Sequence, residues 1–161
     1  MLGLSQGQVF RDSNCVVDAE IWSLPACALE TRDGRLYLKG QFLPLYHFEK
    51  PYGLAWSHLP QDGWAYFNRQ GLVVVKNVAT MDNGPDEFHS GLVRVTQGGK
   101  WGLANSKGTF IVPLAYDGIL GYKPGFGWKA CIGCRTISDG EYHRFDGGKW
   151  IQISPLGKIA K

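Results

Sequence analysis

No stretch of this chain stays apolar for the roughly 20 residues that a membrane-crossing helix needs. Clusters of basic residues are missing too. The 17 Lys and Arg against 14 Asp and Glu leave a net charge of only +3, scattered along the sequence, which argues against a phosphate-tracking nucleic-acid surface. Ala-, Leu- and Glu-rich segments at helical spacing are absent, so a helical architecture is not expected. Met1-Leu2-Gly3-Leu4-Ser5-Gln6 has neither the basic start nor the apolar run of a secretory signal. There is no nucleophile elbow, no phosphate-cradling glycine loop and no HExxH. Nothing reads as a catalytic centre, and no cofactor or metal is implied.

What the chain does have is 22 Gly with 6 Trp, 7 Tyr and 8 Phe among 161 residues. Glycines mixed with aromatics favour short strands joined by tight turns. The fold class expected is all-β, as a single domain over residues 1–161.

Internal self-similarity sharpens that expectation. Asp62-Gly63-Trp64-Ala65, Gly99-Lys100-Trp101-Gly102 and Gly148-Lys149-Trp150-Ile151 each have a glycine seven residues after the tryptophan: Gly71, Gly108 and Gly157. A second glycine marker, Gly53, Gly91 and Gly127, recurs at intervals of 38 and 36 residues. In the central copy, Leu92–Val95 alternates as a strand does, Gln97-Gly98-Gly99 supplies a turn, and Lys100–Ala104 returns. Asn105–Gly108 turns again, Thr109–Val112 forms a third strand, and Pro113 is expected to stop the ladder for want of an N–H. Each unit reads as a small antiparallel meander that must stack on neighbours to cover its apolar face.

The architecture expected is three to four tandem meanders of about 37 residues over residues 31–161, behind an N-terminal capping segment over 1–30. A degenerate early copy runs from Asp33-Gly34-Arg35 to Tyr46. An open array and a partly closed barrel both satisfy the pattern. Trp64, Trp101 and Trp150, at equivalent positions, are expected in the core.

Gly-Lys-Trp-Gly over 99–102, Gly108, Pro113 and Tyr116-Asp117 together resemble the WG-repeat (WG-containing β-repeat) family of bacterial proteins. The match is best over 88–121. Only the central copy keeps the Trp-Gly dipeptide, since Ala65 follows Trp64 and Ile151 follows Trp150. The family is defined by its repeats, so the resemblance implies an interaction or envelope protein more than a chemistry.

The cysteines fall into two local pairs. Cys131-Ile132-Gly133-Cys134 can be a disulfide, two free thiols, or half of a zinc or redox site; the disulfide is favoured because His143 could supply a third zinc ligand but the fourth would have to come from far away. It would pin an insertion over 132–146, in which Arg135–Gly140 reads as loop. Cys15 and Cys27 read as a second disulfide, flanking a segment in which Val17–Trp22 can form a short helical turn. Disulfides persist in oxidising compartments, so the expected protein is periplasmic or secreted, in mature form. A cytosolic protein with four thiols is the alternative.

His47, His58, His89 and His143 lie in separate contexts, and Asp86, Glu87, Asp139 and Glu141 read as surface carboxylates. Trp22, Tyr52, Tyr122 and Phe126 are candidate partner-binding aromatics. The function expected is a non-catalytic protein-binding domain, such as an immunity or inhibitor protein that neutralises a toxin or enzyme. A cell-envelope glycan binder is the alternative, and a hydrolase or thiol-redox enzyme the least favoured. The partner would be a protein, or a glycan on the second reading, and not a nucleic acid.

Overall fold

A computed structural model of the chain describes residues 9–16, 23–140 and 142–160. It divides between Pro85 and Asp86 into two compact units, each built almost wholly of antiparallel strands. The fold is all-β. No helix among the described residues is long and apolar enough to cross a membrane.

The first unit contains β1 (Val9–Val16), β2 (Ser23–Thr31), β3 (Leu36–Leu38), a 3-10 helix (Gly40–Leu45), β4 (Ala55–Leu59), β5 (Gly63–Phe67), β6 (Val73–Val78), β7 (Thr80–Met81) and β8 (Gly84–Pro85). Within it the strand order is β6-β5-β4-β1-β2-β3. The segment expected to cap the array thus supplies two full strands of the sheet. The helical turn expected over 17–22 lies outside the described residues. At the far end, Tyr37 of β3 bridges Leu72, and the Leu38 N–H donates to the Gly71 carbonyl at 2.8 Å. The β3 edge of this unit's sheet therefore touches the chain just before β6.

Strand alternation decides what fills this unit. Ala55 and Leu59 of β4, and Ala65 and Phe67 of β5, point inward with Cys15, Cys27, Ala28, Leu36 and Leu38. Phe67 is met edge-on by the rings of Tyr46 at 4.9 Å and Phe48 at 5.6 Å. The early degenerate copy does not form a meander. After the short β3 the chain turns into the 3-10 helix, where Pro44 could not donate to a ladder, and Phe42 and Leu43 pack on the core. Burial raises the Tyr46 phenol pKa, partly offset by its hydrogen bond to Ser57.

The second unit contains β9 (Leu92–Gln97), β10 (Lys100–Asn105), β11 (Phe110–Tyr116), β12 (Gly118–Ile119), β13 (Trp128–Ile132), β14 (Arg135–Asp139), β15 (Tyr142–Asp146) and β16 (Lys149–Ile153). β9, β10 and β11 form the expected meander; β12, β13 and β16 form a three-stranded sheet, and β14 pairs with β15. Leu92, Leu103, Val112, Tyr116, Ile119, Trp128, Ala130 and Ile153 share one core.

Pro113 does not end its strand, which runs on to Tyr116. The strand bulges there, and Gly102 makes room for the bulge: a β-carbon at 102 would lie 2.5 Å from the Val112 oxygen and 2.8 Å from Pro113. That close approach is the physical reason for glycine after Trp101. The segment 135–140, expected as loop, is instead half of the β14–β15 hairpin. It turns at Gly140 with φ of 65°. Phe145 of that hairpin fills the space a side chain at Gly118 would need.

The glycine turns recur as expected. Gly71, Gly108 and Gly157 have φ of 89°, 84° and 80°. Each donates its N–H to the carbonyl three residues back, on Asn68, Asn105 and Ser154 respectively. In every case the side-chain oxygen of that earlier residue caps the turn by accepting a backbone N–H.

The tryptophans do not recur in this way, and the expectation that all three are core is corrected. Trp64 is half-buried on the face of β5 opposite Ala65 and Phe67. It packs against Trp56 and His58 and donates to the Thr80 hydroxyl of the β7–β8 hairpin. Trp101 is half-buried, with the Arg94 guanidinium over its ring and Phe145 at its edge. Trp150 is 39% exposed and folds back to donate to the Gly147 carbonyl. Period-2 alternation places Trp64 and Trp150, the second residues of β5 and β16, opposite the inward positions. The large aromatic at the heart of the second unit is Trp128, only 1% exposed.

Candidate functional site

The carboxylates show first where chemistry is not exposed. Asp86, expected on the surface, is buried, because Arg94 is buried with it. Its carboxylate accepts from the Arg94 backbone N–H at 3.0 Å and from the guanidinium at 3.1 and 3.2 Å. Arg94 also donates to the Ile119 carbonyl at 2.9 Å. This paired charge holds β9, β12 and the segment before β9 together. In the first unit, Asp62 is buried where Arg11 reaches it, with Glu30 on the same guanidinium and Lys76 at 3.5 Å. Asp117 accepts from Lys100 at 2.7 Å and from the Gly133 N–H at 2.7 Å, and both contacts hold its pKa below the usual carboxylate range. Asp86 and Asp117 thus each accept a backbone N–H as well as pairing with a cation, while Asp62 pairs with side chains.

Both cysteine pairs stand at disulfide distance, with Cα–Cα separations of 5.9 Å. Cys15–Cys27 ties β1 to β2, and Cys131–Cys134 closes the turn between β13 and β14. No group of three or more His, Cys, Asp or Glu side chains suited to a metal occurs among the described residues. The histidines are separate: His58 packs on Trp64, His89 stacks on Tyr122 at 4.7 Å, and His143 lies on β15.

A cleft of about 210 Å³ opens on the second unit, lined by Leu120, Gly121, Lys123, Phe126, Gly127, Lys129 and Gln152. Its floor is the outward face of the β12-β13-β16 sheet. Trp128 and Ile153 are paired across β13 and β16 and point into the core, so their neighbours Lys129 and Gln152, also paired, point out. Leu120 joins them through its N–H bond to the Lys129 carbonyl.

The turn over residues 123–127 forms the rim. The Lys123 N–H and the Gly127 carbonyl pair at 2.8 Å, and the Phe126 and Gly127 N–H groups both donate to the Lys123 carbonyl at 2.9 Å. Gln152 donates to the Phe126 carbonyl at 2.5 Å and to that of Trp128 at 3.0 Å. Gly127, with φ of 92°, passes so near β16 that a β-carbon would lie 2.0 Å from the Ile153 oxygen. The turn is thereby anchored to the sheet, and it holds Phe126 72% exposed. An aromatic presented on anchored backbone loses little freedom when it is covered, which favours its use as a binding anchor.

No family model, curated protein or solved structure matches the chain.

Of the four aromatics singled out from sequence, Phe126 stands at this cleft. Tyr122 is half-buried, stacked on His89 and met at a tilt by Trp128, with its hydroxyl 3.3 Å from the Ser90 hydroxyl. Tyr52 belongs to the first unit and is 39% exposed, and Trp22 lies outside the described residues. Sequence reading missed Leu120, Lys123, Lys129 and Gln152. Pro124-Gly125 did carry a turn signal that would push Phe126 outward. The Lys129–Gln152 adjacency depends on strand register across 23 positions, which no local pattern records.

Proposed function

We propose that this chain is a non-catalytic protein-binding domain, of the kind that serves as an immunity or inhibitor protein, on a scaffold resembling the WG-repeat family. The observation that carries this reading is Phe126, held exposed by an anchored turn beside a cleft with apolar walls. Protein interfaces concentrate their energy on such aromatic anchors. The two cysteine pairs at disulfide distance fit an oxidising compartment, and we place the protein in the periplasm or outside the cell.

The full chain, immobilised without reductant and exposed to an envelope extract, is expected to retain one stoichiometric protein, and the Phe126→Ala variant to lose it. Retention of polysaccharide alone would replace this reading with glycan binding. The compartment has its own check. Titration of the non-reduced, denatured protein with a thiol reagent is expected to find none of the four cysteines reactive; four reactive thiols would place the protein in a reducing compartment.

A further inference from the structure

The second unit, residues 86–161, contains ten Lys and Arg against six Asp and Glu, whereas residues 1–85 contain seven against eight. Among the described residues, three of its carboxylates form ion pairs: Asp86 with Arg94, Asp117 with Lys100, and Asp146 with Arg144. Among the described residues, neither Lys123 nor Lys129 forms an ion pair. Both are exposed at the cleft, one on the rim turn and one on the sheet floor, with Leu120 and Phe126 as its large apolar side chains.

We propose that the cleft receives an extended acidic segment of a partner protein. A large apolar side chain of that segment packs on Leu120 and Phe126, and flanking carboxylates pair with Lys123 and Lys129. This deepens the protein-binding reading and rests on it. Two like charges beside an apolar surface repel a basic segment and attract an acidic one, so the lysines select the partner while the apolar contact supplies most of the affinity. A glycan without charge would leave both ammonium groups unmatched.

The probe is an acetylated, amidated peptide with a central Phe-Leu flanked by two glutamates on each side, titrated into isotope-labelled non-reduced full chain. Its control has lysines in place of the glutamates. The acidic peptide is expected to shift the amide signals of Leu120, Lys123, Phe126, Lys129 and Gln152, and to weaken as salt rises from about 50 to about 500 mM. The Phe126→Ala substitution is expected to weaken it more than about 30-fold. The double variant K123E/K129E is expected to transfer the preference to the lysine peptide. Both variants change exposed side chains only, and their spectra report directly whether the fold is kept.

Equal binding of both peptides at the cleft, still abolished by Phe126→Ala, would overturn the acidic segment and leave the protein-binding function standing. Signals shifting elsewhere on the chain would overturn the cleft as the seat of binding. If neither peptide shifts any signal, and Phe126→Ala retains the same material from an extract as the native chain, both readings fall.

Discussion

Replacing Asp86 with alanine is expected to lower the stability of the second unit by about 3–5 kcal/mol, read as a fall in the urea or thermal midpoint. The Asp86 side chain is 4% exposed and that of its partner Arg94 8%. Removing the anion leaves a buried cation without its counter-charge, and also strips the acceptor from the Arg94 backbone N–H. The loss is therefore larger than the worth of the pair itself, since burying two charges already has a high desolvation cost. Asp86→Asn, which keeps an acceptor of the same size, is expected to lose distinctly less. A midpoint unchanged by Asp86→Ala would mean that Arg94 finds water or another acceptor in solution.

Truncating Trp128 to alanine is expected to lower stability by about 3–5 kcal/mol, whereas Trp150→Ala is expected to change it by less than about 1 kcal/mol. The contrast is the informative part. Trp128 is enclosed by the second core and touches the Tyr122 ring at a centroid distance of 4.8 Å. Trp150 lies on β16 and is 39% exposed, its indole N–H donating to the Gly147 carbonyl. The Trp128 indole N–H is buried without a hydrogen-bond partner among the described residues. Equal losses at the two positions would restore the view that the recurring tryptophans are the core of the repeat.

The local patterns that were legible have short-range causes. A glycine at positive φ followed by an alternating apolar run needs only a few neighbouring residues to define it, and the turns at Gly71, Gly108 and Gly157 appear where the sequence places them. The same holds for the β9-β10-β11 meander and for the cysteine pairs, whose members are separated by 12 and 3 residues. The β14–β15 hairpin was less legible because Arg135-Thr136-Ile137-Ser138-Asp139 is polar and short. It is held by pairing with β15 and by Phe145 docking on Gly118, neither of which shows in the strand itself.

The tryptophan frame misled for a related reason. Recurrence marks an equivalent place in the chain, and the burial of that place depends on what covers each face of the strand. Trp64 is covered by the β7–β8 hairpin, Trp101 by Arg94 and Phe145, and Trp150 is left exposed. Asp86 was misread in the same way: a carboxylate belongs at the surface until a buried arginine is brought to it, and Arg94 lies eight positions along, on a strand whose inward face could not be assigned from its own residues.

From the order of its residues alone, this protein is all-β, turns at its glycines and holds its cysteines in two local pairs. Those properties follow from backbone preference and short loops, which the chain carries wherever it goes. Tertiary structure decided that Trp128 and not Trp150 fills a core, that Asp86 is buried against Arg94, and that Leu120, Lys123, Phe126, Lys129 and Gln152 line one cleft. Each of these depends on strand register and on which face of a sheet is covered. Both are settled by contacts between segments far apart in sequence, where a shift of one residue would turn every side chain to the opposite side.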